Sequence, residues 1–345
     1  GSIMAFISFL GFQWGGLPPV MVASVFMFTF LNYNIHYPCL YAFVQEIIEK
    51  KYYDRITSML EIVGQITTIL AGAGATLLLE GTKEGVLKLF GFSVQLGFNI
   101  KAWQIHEIFA LDAGTYFFAF VIILMIRYVP LVERSSESGS FLRRLKLGYE
   151  YLKDNTAIFW FGVLTYMVFL AILLETFYLG VSYVNNHLNE SGDVYANSKI
   201  AYSLGAISIG IGIRYLFRYV NIPMGIILLT FLTAAIFMSL SLMHSIYFFF
   251  AMMLLLGICN AGVRIARMTY LFRNVSNQFF GRAGSIFFIT NVIMRILLMF
   301  VFTMTFFQRE NNIVFAYMAV ALLLFISGIF LIRHYRSFDL RKLGS

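Results

Sequence analysis

Long apolar stretches alternate with short polar ones along the chain. Residues 18–44, 57–79, 107–129, 157–183, 198–218, 221–242, 246–270, 283–306 and 313–333 are apolar runs between charged or polar boundaries. Each reaches about 20 residues, which at 1.5 Å per residue crosses roughly 30 Å of hydrocarbon. The stretch 226–243 lacks the alternation that a membrane strand of about ten residues requires, so these runs predict helices and not a barrel. The pattern predicts an all-α polytopic membrane protein with about nine transmembrane helices. An apolar opening from Phe6 to Trp14 is too short to span, and reads as the tail of a helix, a re-entrant piece or an interfacial segment.

Composition agrees with the pattern. The 345 residues are 60% hydrophobic and 12% charged, with a mean hydropathy of +0.80, whereas a soluble domain is about 25% charged. The net charge of +8 is placed in connections. Lys50, Lys51 and Arg55 follow the first run; Arg134, Arg143, Arg144, Lys146 and Lys153 follow the third. Arg214 and Arg218 end the fifth, Arg267, Arg273 and Arg282 surround the seventh connection, and Arg333, Arg336, Arg341 and Lys342 close the chain. These sets alternate, so they share one side, which the positive-inside rule assigns to the cytoplasm together with the C terminus. The partners this implies are membrane lipids and a small-molecule solute; no basic face interleaved with exposed aromatics points to nucleic acid.

Two connections stand apart. Glu133 to Ser140 is polar and serine-rich and leads into the amphipathic stretch Phe141 to Lys153. That divides the chain into a partial N-terminal bundle, 1–132, a cytoplasmic linker, 133–153, and a C-terminal six-helix bundle, 154–345. Val86 to Trp103 has a mixed period and reads as an interface-skimming segment or an irregular folded loop.

Polar residues inside apolar runs are costly unless they pair or face water, so they are the candidates for function. Asn32 and His36 share a helical face just before Pro38, and either line a cavity or join an interhelical network. Glu175 in the fourth run is a candidate for proton coupling or substrate contact, or else an interhelical contact. Arg295, with Asn291 one turn before it, could meet Glu175, bind an anionic solute or reach water along its stem. Glu61 with Gln65, Asp112, Arg264 and Arg282 are candidate gate or helix-end contacts, Asp112 as a cap on its first helical turn. Gly64, Thr68 and Gly72, and Gly205 and Gly212, are small-residue faces suited to close helix packing.

No Gly-rich phosphate loop, HExxH or compact nucleophile–base arrangement is present, so the chain reads as a non-enzyme. His36, His106, His187, His244 and His334 are dispersed, and Cys39 and Cys259 make no metal spacing. The sequence therefore names no metal set and no bound cofactor.

Four phrases carry a family resemblance: Pro38 to Glu46, Ser58 to Gln65, Phe109 to Phe117 and Phe280 to Ser285. In their order and spacing they resemble the major facilitator superfamily, especially its bacterial proton-coupled drug and siderophore exporter branch. The resemblance implies that the nine runs correspond to helices four through twelve of a twelve-helix carrier. The chain then lacks roughly the first three helices, and its opening stub is the end of helix three. It further implies alternating access, an inner-membrane location, and proton-driven efflux (antiport) of a hydrophobic or amphipathic compound. The other expectations are facilitated or uptake transport, including lipid-like cargo, and a noncatalytic membrane-interaction protein that needs a partner chain.

Overall fold

In a computed structural model the described residues of the chain form helices and one short antiparallel strand pair. The structure describes residues 1–82, 86–89, 92–95, 99–127, 141–190 and 192–338; the expected linker segment 133–140 lies outside them. The helices are α1 (Ser2–Trp14), α2 (Pro19–Ile47), α3 (Tyr53–Glu80), α4 (Ile105–Met125), α5 (Phe141–Asp154), α6 (Thr156–Leu174) and α7 (Gly180–Asn186). There follow α8 (Gly192–Tyr219), α9 (Ile222–Leu242), α10 (Ile246–Asn274), α11 (Asn277–Phe302), α12 (Thr305–Gln308), α13 (Ile313–Arg333) and α14 (Tyr335–Phe338).

Among the described residues, eight helical stretches are long and apolar enough to span a bilayer; α6 and α7 join as one of them, Thr156–Asn186. The ninth expected crossing is α2, a helix of 29 residues. The segment 86–103 is corrected: Val86–Leu89 (β1) pairs antiparallel with Phe92–Gln95 (β2). Its base is tied to the end of α3 by Thr82 N–H to the Ile100 carbonyl, 2.9 Å, and Trp103 N–H to the Leu78 carbonyl, 2.7 Å. Gly81, at φ +67°, makes that turn in the left-handed region glycine tolerates.

Two compact units divide the chain. The first holds 1–43 and 68–132. The opening stub is here a helix of 13 residues, ended by Gly15 in the left-handed conformation. It packs on α4 through Met4, Ile7, Phe109 and Ala113, and Ser8 donates to the His106 carbonyl at 2.7 Å. The α4 helix begins at Ile105, where Glu107 accepts the Gln104 N–H at 2.6 Å. Asp112 is therefore two turns inside the helix, and the first-turn cap expected of it belongs to Glu107.

The second unit holds 44–67 and 133–345. At its centre α6 is apolar all round and buried along nearly its whole length. Gly162 admits the Phe287 ring from α11; a Cβ there would stand 2.2 Å from the ring. The α8 and α10 backbones come closer still. A Cβ on Gly205 would lie 1.9 Å from the Leu254 carbonyl oxygen, and one on Gly257 1.9 Å from that of Tyr202. At Gly64, Gly72 and Gly212 the same addition meets nothing within 4 Å. The amphipathic α5 lies against the start of α11, with Tyr151 stacked on Phe279 at 4.5 Å and Gly148 beside Arg282; burial raises the pKa of the Tyr151 hydroxyl.

Overpacking at a glycine that faces backbone costs about 1–3 kcal/mol or more. Gly205→Val and Gly257→Val are each expected to lower the apparent Tm in detergent, while Gly212→Ala leaves it unchanged. Thermal unfolding of the three purified variants measures this.

Candidate functional site

The first half-length of α3 carries a polar stripe. Tyr53, Thr57, Glu61 and Gln65 recur every four residues and therefore share one face. All four are buried, as is Ser58 beside them. They run against the end of α10 in the opposite direction. Tyr53 meets the Phe272 ring at 4.7 Å, and Thr57 Oγ1 lies 3.4 Å from Thr269 Oγ1. Glu61 Oε1 accepts from both Arg264 Nη2 and Gln65 Nε2, the latter at 2.8 Å. The candidate gate residues Glu61, Gln65 and Arg264 thus form one buried charge-assisted cluster. One turn before Arg264, Asn260 donates to the Tyr202 hydroxyl of α8 at 2.5 Å.

In the same unit, two further polar side chains reach the middle of α6. Arg267 Nη1 donates to the Thr165 carbonyl at 3.1 Å, with its guanidinium 3.8 Å from the Tyr166 ring centroid. Asn291 Nδ2 donates to the next carbonyl, that of Tyr166, at 3.2 Å. Arg295, one turn further along α11, is buried at 6% exposure. On α10 the two guanidiniums of Arg264 and Arg267 find a carboxylate, a carbonyl and a ring in place of water.

Glu175 is 1% exposed, at the end of α6, and its partner is Lys199 of α8, whose Nζ donates to Oε2 at 2.6 Å. Lys199 stands at the very start of the apolar run 198–218; the α8 helix begins at Gly192, so the residue is well inside the helix, facing the acid. The remaining candidates are elsewhere. Asn32, in the first unit, donates to the Tyr116 hydroxyl at 3.4 Å, and His36 is exposed on the same helix. Asp112 is half-buried and accepts from its own turn through Thr115, at 3.3 Å. Arg282 is half-buried and lies over the Phe279 ring. The sequence misses Lys199 and Tyr202 and reads Arg267 as a connection base, whereas it is buried inside α10. The four-residue spacing of Tyr195 with Lys199 is the one signal that could have drawn attention to Lys199.

A family profile described as the Major Facilitator Superfamily matches residues 1–299. Among solved structures, the chain is similar to a bacterial homologue of the iron transporter ferroportin, crystallised in an outward-facing state. The TM-score is 0.61 at 15% identity, covering 96% of this chain and 80% of that one. A comparison with curated proteins returns no match.

Breaking a buried ion pair by removing one partner costs about 3–5 kcal/mol. Glu61→Gln and Arg264→Gln are each expected to lower the apparent Tm, and the double variant by less than the sum of the two. A double-mutant cycle by thermal unfolding reads the coupling; additive losses would show that the two side chains act independently.

Proposed function

We propose that this chain, which belongs to the Major Facilitator Superfamily, passes a small solute across the membrane by alternating access, with the α3–α10 seam as its separable contact. The observation that carries the reading is the cluster of Glu61, Gln65 and Arg264. A seam of this kind is held by a few directional polar bonds, which water can replace when the helices part. Knob-like apolar packing has no such exchange. On the sequence's charge pattern this seam is at the cytoplasmic end, so its closed state corresponds to a cavity open to the other side.

Facilitated or uptake passage is favoured over proton-driven export. Glu61 and Glu175, the buried acids among the described residues of the second unit, each stand against a base. In each pair the charge of the acid is balanced within the protein by its base. One observation supports the second reading, proton-coupled efflux of an amphipathic compound: Glu175 Oε1 is buried without a hydrogen-bond donor. Iron is named for a neighbour whose 15% identity speaks to fold alone. Among the described residues no three of His, Cys, Asp or Glu gather as a metal site. The solute is taken as a small molecule, lipid-like cargo included.

Reconstituted vesicles test this. Counterflow of a solute panel is expected to proceed without a pH gradient, to fall at least about tenfold in Glu61→Lys, and to recover in Glu61→Arg/Arg264→Glu. Flux only under a proton gradient would select the efflux reading, and an absence of flux from folded protein across the panel would count against a carrier.

A further inference from the structure

The helix that starts at Thr156 does not continue to Asn186 with one pitch. From Glu175 to Leu179 it widens into a π-turn, in which the Gly180 N–H reaches back to the Glu175 carbonyl. An α-helix would send it to Thr176. The Thr176 carbonyl instead accepts from the Tyr195 hydroxyl of α8, at 2.7 Å. One turn along α8 from Tyr195, Lys199 Nζ donates to Glu175 Oε2 at 2.6 Å and to Thr176 Oγ1 at 3.4 Å. Its ammonium also stands 4.5 Å from the Tyr195 ring centroid. Gly180 completes the fit: a Cβ there would lie 2.3 Å from Glu175 Oε1 and 2.4 Å from Tyr195 Cε2. Two side chains of a neighbouring helix thus hold the widened turn.

A π-turn accommodates one extra residue, so it sets the rotational phase of everything beyond it. Relaxing it to α geometry turns the following segment by about 100° and shifts it by about 1.5 Å. Two clasps lie in that segment. The Tyr183 hydroxyl reaches the Leu240 and Met243 carbonyls at 2.9 and 3.0 Å. His187 places Nε2 3.2 Å from the Met243 carbonyl and Nδ1 2.5 Å from Asn311 Oδ1. Between them they join α7 to the α9–α10 connection and to the residues just before α13.

We propose that Lys199 and Tyr195 are positioning residues: they hold the π-turn, and through it the phase of α7, so that Tyr183 and His187 clasp the α9–α10 connection and Asn311. Release of Lys199 from Glu175 lets the turn relax and unfastens this end of the bundle. The device is separate from the α3–α10 seam and does not depend on which solute is carried. It also gives Glu175 a part to play that requires no contact with solute.

Hydrogen–deuterium exchange of the full chain in nanodiscs tests it without reference to transport. In Lys199→Met, amides of 179–188 are expected to exchange about tenfold faster, while 226–240 in α9 stays slow. Lys199→Arg, which keeps the charge and the reach, is expected to stay slow in both. Deletion of Phe177, an exposed residue of the π-turn, removes the extra residue and closes the turn to α geometry with the phase of α7 kept, so 179–188 is expected to stay slow. If Lys199→Met exchanges quickly everywhere, the neutral pair Glu175→Gln/Lys199→Met, which leaves no lone buried charge, decides: a local rise at 179–188 supports the proposal. Wild-type exchange at 179–188 in the folded Met variants, or a Lys199→Arg as fast as Lys199→Met, would overturn it.

Discussion

The approach of α8 to α10 is the contact on which the second unit depends. Helices in a bilayer gain little from burying apolar surface against one another, because lipid is as apolar as they are, so close contact and polar bonds supply the cohesion. Gly205 and Gly257 provide the closest contact, backbone against backbone. That spacing lets Asn260 reach Tyr202. It also fixes two helices that carry working residues in opposite directions, Tyr195 and Lys199 early in α8, Arg264 and Arg267 late in α10.

Around this fixed pair the polar residues divide by what they hold. Arg267 and Asn291 hook successive carbonyls of α6, pinning the central helix at mid-length. Glu61, Gln65 and Arg264 pair side chain with side chain, so their contact can part without disturbing any backbone ladder. Lys199 and Tyr195 stabilise an irregularity within a single helix. A carrier must be rigid within its moving parts and yielding between them, and contacts of the first and second kinds suit these two needs.

Much of the fold was legible. Length and apolarity locate the helices because a bilayer allows few other solutions, and Glu61, Gln65 and Arg264 stand out as polar residues in apolar surroundings. Their mutual contact was not legible, since Glu61 and Arg264 are separated by most of the chain and nothing local couples them. Lys199 was overlooked because it stands at the edge of the run 198–218, where a base reads as an ordinary helix-end charge; α8 starts earlier, at Gly192. The π-turn has no local signature either, because Tyr195 and Lys199, which hold it, belong to a different helix. The hairpin at 86–95 was missed because its short strands share the mixed period of an irregular loop. Gly205 and Gly212 look equivalent in sequence, yet only Gly205 meets a neighbouring backbone.

That last difference has an evolutionary consequence. A cavity between side chains can be refilled from either wall, so such positions exchange volume over time and vary together. Gly205 and Gly257 each face a main-chain carbonyl, which no substitution can shrink. Among relatives that keep this crossing, the two positions should each remain small on their own account, without the correlated changes that usually betray a helix contact.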